Sequence, residues 1–162
     1  MALHEFGFLV VCISLGGLAM ASAESLARGF GDNIAWKKLD EGLSLSKESN
    51  KPLMLVIHKS WCGACKALKP KFASSLAIEN MSPEFVMVNV EDAEEPSDPQ
   101  YTPDGGYIPR ILFLSPDGTV QEQIKNKSGN PKYKYYYSEA SQVVLSMREA
   151  LAHFKGTKTD EL

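Results

Sequence analysis

Runs of apolar residues of strand length lie in the middle of this chain, and turn residues separate them. Residues 53–57 read L-M-L-V-I without a polar break, which predicts a central strand buried on both faces. A Pro-Asp-Gly turn at residues 116–118 predicts a hairpin whose return strand covers residues 120–124. The other stretches of strand length are residues 36–39, 85–90 and 110–114.

Helical spacing of apolar and small residues fills the segments between these strands, in residues 40–48, 64–80 and 138–156. Pro70 lies inside the second segment and predicts a kink about two turns after the helix begins. We expect Ser138 to cap the third helix and Gly156 to end it. Its buried face would comprise Val144, Met147, Leu151 and Phe154.

The order of these elements defines a fold class. It predicts one α/β domain on a mixed sheet, with parallel crossovers first and an antiparallel hairpin last. Residues 24–33 are weakly patterned and contain glycine, so we expect a mobile lead-in before the first strand.

The N-terminal end of the chain has the pattern of a targeting signal rather than of a folded segment. Residues 1–23 combine an apolar run with an Ala-Ser-Ala end, the pattern of a secretory signal peptide cleaved after Ala23. The run is shorter than the roughly 20 residues of a spanning helix, which favours cleavage over an uncleaved membrane anchor. Residues 24–156 would then form the domain, and residues 157–162 a tail.

The tail ends in a second targeting signal, which resembles the K-D-E-L retrieval signal. It is formed by Thr159, Asp160, Glu161 and Leu162. Together the two ends predict a protein held in the lumen of the endoplasmic reticulum by a retrieval receptor, with no membrane span in the mature chain. Disulfide chemistry is normal in that oxidising compartment. The formal net charge of −3 gives no indication of a nucleic-acid partner or an anionic membrane surface.

Candidate chemistry is concentrated in two of the three cysteines, since Cys12 lies in the leader. Cys62 and Cys65 form a C-x-x-C pair between a predicted strand and a predicted helix. Cys62 is therefore expected at a helix N-terminus, where the macrodipole stabilises a thiolate. We expect Cys62 to attack a client disulfide and the more buried Cys65 to resolve the mixed disulfide.

Two other uses of a C-x-x-C pair fit this sequence less well. A structural zinc site needs four ligands, and beside the two thiols the mature chain offers His58 and His153 without ligand spacing. A purely structural disulfide would close a tiny loop and stabilise the fold little. We expect no metal, and no cofactor beyond the redox-active disulfide.

The surroundings of the cysteines add a resemblance to a known family. Residues 61–66, W-C-G-A-C-K, resemble the active site of the thioredoxin superfamily. Pro70 matches the proline that kinks the family's active-site helix, and Ile108-Pro109 matches its cis-proline. The resemblance covers about residues 34–155, nearly the whole predicted domain.

Further motifs resemble those of the small thioredoxin-like proteins of the endoplasmic reticulum, which are related to the anterior gradient proteins. These motifs are P-D-G-G-Y-I-P-R at residues 103–110 and the D-E-L end. The resemblance implies a thioredoxin fold, a central mixed β-sheet flanked by helices. It also implies a protein disulfide oxidoreductase of secretory clients, with glutathione as co-substrate. The implied client-binding residues are Trp61, Ile108 and Pro109, with the main chain of Ile108 pairing with the client peptide.

Two positions depart from the family pattern. Val56 stands where thioredoxins and disulfide isomerases place a buried acid, and Gly63-Ala64 lacks the histidine of the isomerases. We therefore expect a proton relay that differs or is absent, and a couple less oxidising than that of an isomerase, with a potential below about −180 mV and above the roughly −270 mV of thioredoxin. The competing interpretation is a thioredoxin-fold escort that holds secretory clients, with redox activity secondary. Cys65 argues against it, because a protein that only holds clients needs no resolving thiol.

Three features are left open by the sequence. His58 and Lys59 lie close enough to Cys62 to stabilise its thiolate, but strand alternation can equally turn either side chain away. The acidic loop of residues 91–107 contains no Lys or Arg, and we expect a solvated rim rather than a cation site. Asn126 begins a glycosylation sequon in a predicted loop.

Overall fold

The computed structural model describes residues 25–159, so the predicted leader of residues 1–23 lies outside the described residues. The strands are β1 (Trp36–Lys37), β2 (Leu53–His58), β3 (Val86–Glu91) and β4 (Arg110–Leu114). The helices are α1 (Leu39–Ser49), α2 (Gly63–Ala73), α3 (Leu76–Met81) and α4 (Ala140–Thr159). Short 3-10 helices cover Ser82–Glu84, Asp92–Glu94 and Pro99–Tyr101.

The four strands form one mixed sheet in the order β1-β3-β2-β4. β2 pairs in parallel with β3 and antiparallel with β4, so Val56 lies between Asn89 and Ile111. Every residue of β2 is buried, as its unbroken apolar run predicts. Because β2 and β3 run in the same direction, their carboxyl ends meet at one edge of the sheet, where His58 lies opposite Glu91. The chain reaches the cysteines from this edge.

Two apolar layers cover the faces of the sheet, and successive residues of β2 alternate between them. Val56 belongs to the layer that α2, α3 and α4 cover, whereas Leu55 belongs to the layer on the side of α1. Gly42 allows α1 to lie close to the sheet, because a Cβ at this position would clash with Cγ2 of Val88. Within the described residues, no helix is both long enough and apolar enough to cross a bilayer.

The expected mobile lead-in was wrong for the residues that the structure describes. Phe30 is fully buried and Ala27 nearly so, and both belong to the core layer that contains Val56. The Phe30 ring packs edge-on against Phe72 of α2, with the ring centroids 5.4 Å apart. Residues 25–34 therefore cover part of the core, although their polarity pattern is weak.

The helix expected over residues 64–80 is in fact two helices. α2 continues past Pro70 and ends at Ala73, and α3 begins at Leu76. The hydroxyl of Ser75 caps α3 by accepting a hydrogen bond from the Ile78 amide at 3.4 Å. A serine cap inside the expected helix therefore restarts it in a new direction.

The return strand of the hairpin is reduced to a single bridge between Leu114 and Val120. The turn itself forms as expected, with Gly118 at a φ of +88°. Beyond the bridge the chain turns again, since the Ile124 amide donates to the carbonyl of Gln121 at 3.0 Å. This second turn buries Ile124 in the core instead of extending the sheet.

The ends of the last helix also differ from expectation. α4 begins at Ala140, so Ser138 precedes the cap position, and its amide donates to Oε1 of Gln142 at 3.0 Å. The helix runs through Gly156 to Thr159, because this glycine stays in the helical conformation. Its buried face contains Val143, Met147, Ala150 and Phe154, while Val144 and Leu151 are only partly buried.

Candidate active site

Cys62 and Cys65 lie together at the N-terminus of α2. Cys62 is the N-cap residue, and a disulfide joins it to Cys65 with a Cα–Cα distance of 5.2 Å. The Cys65 amide points at Sγ of Cys62, with a nitrogen–sulfur distance of 3.1 Å. The first turn of α2 contains no acidic residue, so within that turn no carboxylate opposes the free amides and the helix dipole at Cys62. The arrangement favours a thiolate at Cys62 after reduction.

The two sulfurs differ in access to solvent. Cys62 is 6% exposed, whereas Cys65 is completely buried. Of the two residues, Cys62 is therefore the more accessible to an incoming sulfur. The geometry favours Cys62 as the attacking residue and Cys65 as the residue that resolves the mixed disulfide.

The structure brings the three expected client-binding residues to the same place. The Ile108–Pro109 peptide bond is cis, as the family resemblance implies. The carbonyl oxygen of Ile108 lies 4.0 Å from Sγ of Cys62, so main-chain atoms of this loop face the reactive sulfur. Trp61, directly before Cys62, is 72% exposed and presents a large apolar surface beside it. We call the space between Cys62 and the Ile108–Pro109 loop the client cleft.

An aromatic pocket of about 350 Å³ continues from Ile108, and sequence reasoning did not identify it. It is lined by Tyr107, Ile108, Asn130, Tyr133 and Tyr136. The Tyr107 hydroxyl donates to Oδ1 of Asp104 at 2.5 Å and accepts from the Tyr135 amide at 3.0 Å. Burial together with the Asp104 hydrogen bond raises the pKa of Tyr107, which keeps this hydroxyl protonated as a donor.

The acidic loop after β3 is paired with cations from distant parts of the chain. Glu94 makes a two-pronged ion pair with Arg28, and Glu95 contacts both Lys59 and Arg110. Glu94 is exposed, as the expected solvated rim requires, whereas Glu95 is partly buried, and the ion pairs of both carboxylates were not expected. The Arg28 hydrogen bond lowers the pKa of Glu94 against the effect of burial. Burial also opposes the charge of Glu95, and the bonds from its two cations outweigh it and lower its pKa.

Asp92 anchors the segment that leads into Cys62. Its Oδ1 accepts from the Ser60 amide at 2.9 Å, and its carbonyl accepts from Nζ of Lys59 at 2.7 Å. The bond from Ser60 is the main reason that the pKa of the Asp92 carboxyl lies below its usual value. Asp92 has a φ of +52°, a left-handed conformation that is uncommon for a residue with a side chain.

His58 is buried at the carboxyl end of β2. Its Nε2 lies 2.6 Å from Oδ1 of Asn89, whose amide group donates to the carbonyls of Leu26 and Ala27. Because these donations fix the amide orientation, Nε2 carries the proton of the neutral ring and Nδ1 carries the lone pair. Nδ1 lies 3.3 Å from Oε1 of Glu91 yet has no hydrogen-bond partner. Burial lowers the pKa of His58, so the ring is neutral at pH 7.

The position of the family's buried acid is apolar in this protein. Val56 is completely buried in the core layer beneath α2, and no carboxylate replaces it on β2. The part of the chain that the structure describes contains no group of three or more His, Cys, Asp or Glu side chains able to hold a metal ion.

Comparisons with known proteins agree with this site. Residues 35–116 match the family described as Thioredoxin-like. Anterior gradient protein 3 of Mus musculus is 38% identical over 130 residues, which cover 79% of this chain and 78% of that protein. Anterior gradient protein 2 homolog of Homo sapiens is 36% identical over 133 residues, with 82% and 75% coverage. The chain belongs to the thioredoxin-like family, and it is a relative of the anterior gradient proteins.

Solved structures confirm the fold. DsbH oxidoreductase superposes with a TM-score of 0.53 at 19% identity, covering 75% of this chain and 87% of that protein. A thioredoxin from Thermus thermophilus gives a TM-score of 0.52 at 15% identity, covering 74% and 88%. The predicted thioredoxin fold, a central mixed β-sheet flanked by helices, is therefore confirmed.

The retrieval signal is a prediction that the structure does not reach. Thr159 is the last described residue, at the end of α4, while Asp160, Glu161 and Leu162 lie outside the described residues.

Proposed function

We propose that this protein is a thiol–disulfide oxidoreductase that exchanges disulfides with secretory client proteins in the lumen of the endoplasmic reticulum. The observation that carries the proposal is the Cys62–Cys65 disulfide at the N-terminus of α2, with the Ile108 carbonyl 4.0 Å from Sγ of Cys62. A reactive sulfur and a main-chain docking group thus lie within reach of one client segment.

In the reducing direction, the Cys62 thiolate attacks one sulfur of a client disulfide. A mixed disulfide forms, and the other client sulfur leaves as a thiolate that takes a proton from water. Cys65 then loses its proton to water and attacks Sγ of Cys62, and the client sulfur bound there leaves as a thiolate that takes up a proton. The client is released with two thiols, and the Cys62–Cys65 disulfide closes again, so two electrons have passed to the client. The oxidising direction is the reverse of these steps.

Glutathione is proposed as the small redox partner. One glutathione thiolate attacks Sγ of Cys62 and forms a mixed disulfide, while the Cys62–Cys65 bond breaks and Cys65 leaves as a thiolate that takes a proton from water. A second glutathione thiolate attacks the glutathione sulfur of the mixed disulfide, which forms glutathione disulfide and releases Cys62 as a thiolate, so both protein cysteines are then reduced. The residues of the site, together with the D-E-L end, resemble thioredoxin domain-containing protein 12, a small thioredoxin-like protein of the endoplasmic reticulum. This resemblance, the leader and the tail support both the lumenal location and the use of glutathione.

Trapping of mixed disulfides tests the proposal. In Cys65→Ser the resolving thiol is gone, so clients should remain covalently attached to Cys62 and appear as adducts that reductant releases. In Cys62→Ser the attacking thiol is gone, and no adducts should form. Adducts are captured from the secretory pathway after rapid alkylation, and the two variants are compared at equal expression.

The competing function, an escort that holds clients, predicts a different pattern. Client association would survive in the double variant Cys62→Ser/Cys65→Ser, and Cys65→Ser would trap no more protein than the wild type. The exposed Trp61 and the aromatic pocket beside Ile108 would serve such an escort as well. Equal non-covalent recovery from all three variants would therefore favour the escort over the enzyme.

A further inference from the structure

Both walls of the client cleft are tied to the same short segment, residues 92–95, which we call the bracket. On the wall that carries Cys62, the Ser60 amide donates to Oδ1 of Asp92 at 2.9 Å. Nζ of Lys59 donates to the Asp92 carbonyl at 2.7 Å and also pairs with Oε2 of Glu95. The Cys62 amide in turn donates to the Lys59 carbonyl at 3.2 Å, so the bracket holds the turn that presents Cys62.

The opposite wall is tied to the bracket through Arg110, which directly follows Pro109. Arg110 is completely buried, and its Nη2 pairs with Oε1 of Glu95. Its Nε donates to the carbonyl of Tyr101 at 3.2 Å, and its Nη1 donates to the carbonyl of Tyr107 at 2.5 Å. The guanidinium thus fastens the loop before Ile108 to β4, and Glu95 fastens that assembly to the bracket.

We propose that Glu95 is a positioning residue that sets the separation of Cys62 from the Ile108–Pro109 loop. One oxygen of its carboxylate holds the Cys62 wall through Lys59, and the other holds the opposite wall through Arg110. Both cations are shielded from solvent, since the side chain of Lys59 is 19% exposed and that of Arg110 fully buried. Ion pairs of this kind are screened less by salt than pairs on an open surface.

The inference rests on the proposed function, and it separates two kinds of substrate. A client peptide must engage Sγ of Cys62 and the main chain of Ile108 at once, so its reaction depends on the width of the cleft. A small disulfide such as bis(2-hydroxyethyl) disulfide needs only the sulfur of Cys62. Small misplacements of a docking group cost large factors in rate. Loosening the bracket should therefore slow peptide exchange selectively.

The experiment measures second-order rate constants for the reduced protein with an oxidised peptide and with bis(2-hydroxyethyl) disulfide. In Glu95→Gln the new amide keeps an oxygen for Arg110 but loses the charge that holds Lys59. Lys59→Met cuts the same link from the other side, together with the bond from Lys59 to the Asp92 carbonyl, and leaves the pair between Glu95 and Arg110 in place. Glu139→Gln is the matched control, because it removes the same charge from a carboxylate that pairs with a lysine, Lys71, outside the bracket.

We expect Glu95→Gln and Lys59→Met each to lower the peptide rate constant about ten-fold, with the small disulfide changed less than about two-fold. Glu139→Gln should leave the ratio of the two constants as in the wild type. The double variant Lys59→Met/Glu95→Gln should be no slower than the slower single variant, because both changes break one link.

Two results would overturn the inference while leaving the proposed function standing. If the link acts through charge, Glu95→Gln and Lys59→Met would shift the apparent pKa of Cys62 alkylation, and the small-disulfide rate, in opposite directions. If Glu95 only stabilises the fold, both substrates would slow together in proportion to the unfolded fraction seen by circular dichroism. Should Glu95→Gln fail to fold, Lys59→Met alone decides. A wild-type protein that reacts with neither disulfide would instead refute the proposed function.

Discussion

His58 gives the stability of this protein a pH dependence whose sign follows from its surroundings. Burial disfavours the charged ring and lowers the pKa of His58 below the ordinary value of 6.5. The Asn89 hydrogen bond acts in the opposite direction, and so does the charge of Glu91, while Lys69 and Arg28 reinforce the effect of burial. Nδ1 lies 3.3 Å from Oε1 of Glu91, so the carboxylate favours a proton there, and burial outweighs this attraction.

A histidine whose pKa is lower in the folded state binds its proton more readily in the unfolded state. Lowering the pH through 6.5, the pKa of the unfolded ring, therefore lowers the free energy of unfolding. This decrease ends below the pKa of the folded ring. One proton contributes at most about 1.4 kcal/mol per pH unit. Because the unfolded ring binds its proton mainly below its pKa of 6.5, acidification from pH 7 to pH 5 lowers the free energy of unfolding by at most about 2 kcal/mol. The lowered carboxylates start from 3.8 and 4.5, so Asp92, Glu94 and Glu95 lose their contributions mainly at lower pH.

Urea unfolding of the oxidised protein between pH 7 and pH 5 measures this slope directly. His58→Gln should be less stable at pH 7 but should depend less on pH across this window. His153→Gln, which changes the histidine of α4, is the matched control and should keep the wild-type slope. A wild-type protein that gains stability on acidification would show that the charge of Glu91 outweighs burial in setting the pKa of His58. An unchanged slope in His58→Gln would show that His58 does not cause the pH dependence of stability.

Two packing predictions concern positions away from the cysteines. Gly42→Ala places a methyl group against Val88 and should cost about 1–3 kcal/mol of unfolding free energy. Gly156→Ala, with nothing within 4 Å of the new methyl group, should cost nothing in the same urea titration. Asn126 is 6% exposed, and its Nδ2 donates to the Tyr136 carbonyl at 2.8 Å, so its sequon should carry no glycan in the folded protein. Glycan removal should leave the mass of secretory-pathway protein unchanged, and a mass loss that Asn126→Gln abolishes would contradict this.

The sequence is most informative where local chemistry decides the structure. The unbroken apolar run of β2 and the step from strand to helix were enough to place Cys62 at a helix N-terminus. The Ser75 cap was also readable, since a serine directly before an apolar residue, here Leu76, is a helix-start signal. It was missed because the apolar spacing continues across it.

The sequence could not predict which charged side chains form ion pairs across the fold. Glu94 and Glu95 looked like solvated acids because their loop contains no cation, yet Arg28 and Arg110 reach them from separate segments. Sequence distance does not indicate which of many charged side chains will meet, since that depends on the final packing. The arginine directly after Ile108-Pro109 was the one available signal, because a charge at the start of a buried strand needs a partner.

The surroundings of Cys62 also decide what can stabilise its thiolate. Lys59 is held by Glu95 and by the Asp92 carbonyl, so its charge is already balanced. His58 is neutral at pH 7 because burial lowers its pKa. Gly63 and Ala64 bring no charge, and the acids that face this segment act against an anion. The amides at the start of α2 remain, and one of them, that of Cys65, already points at Sγ of Cys62 at 3.1 Å. The reactivity of Cys62 therefore derives from the helix backbone, while the charged residues around it hold the two walls of the client cleft.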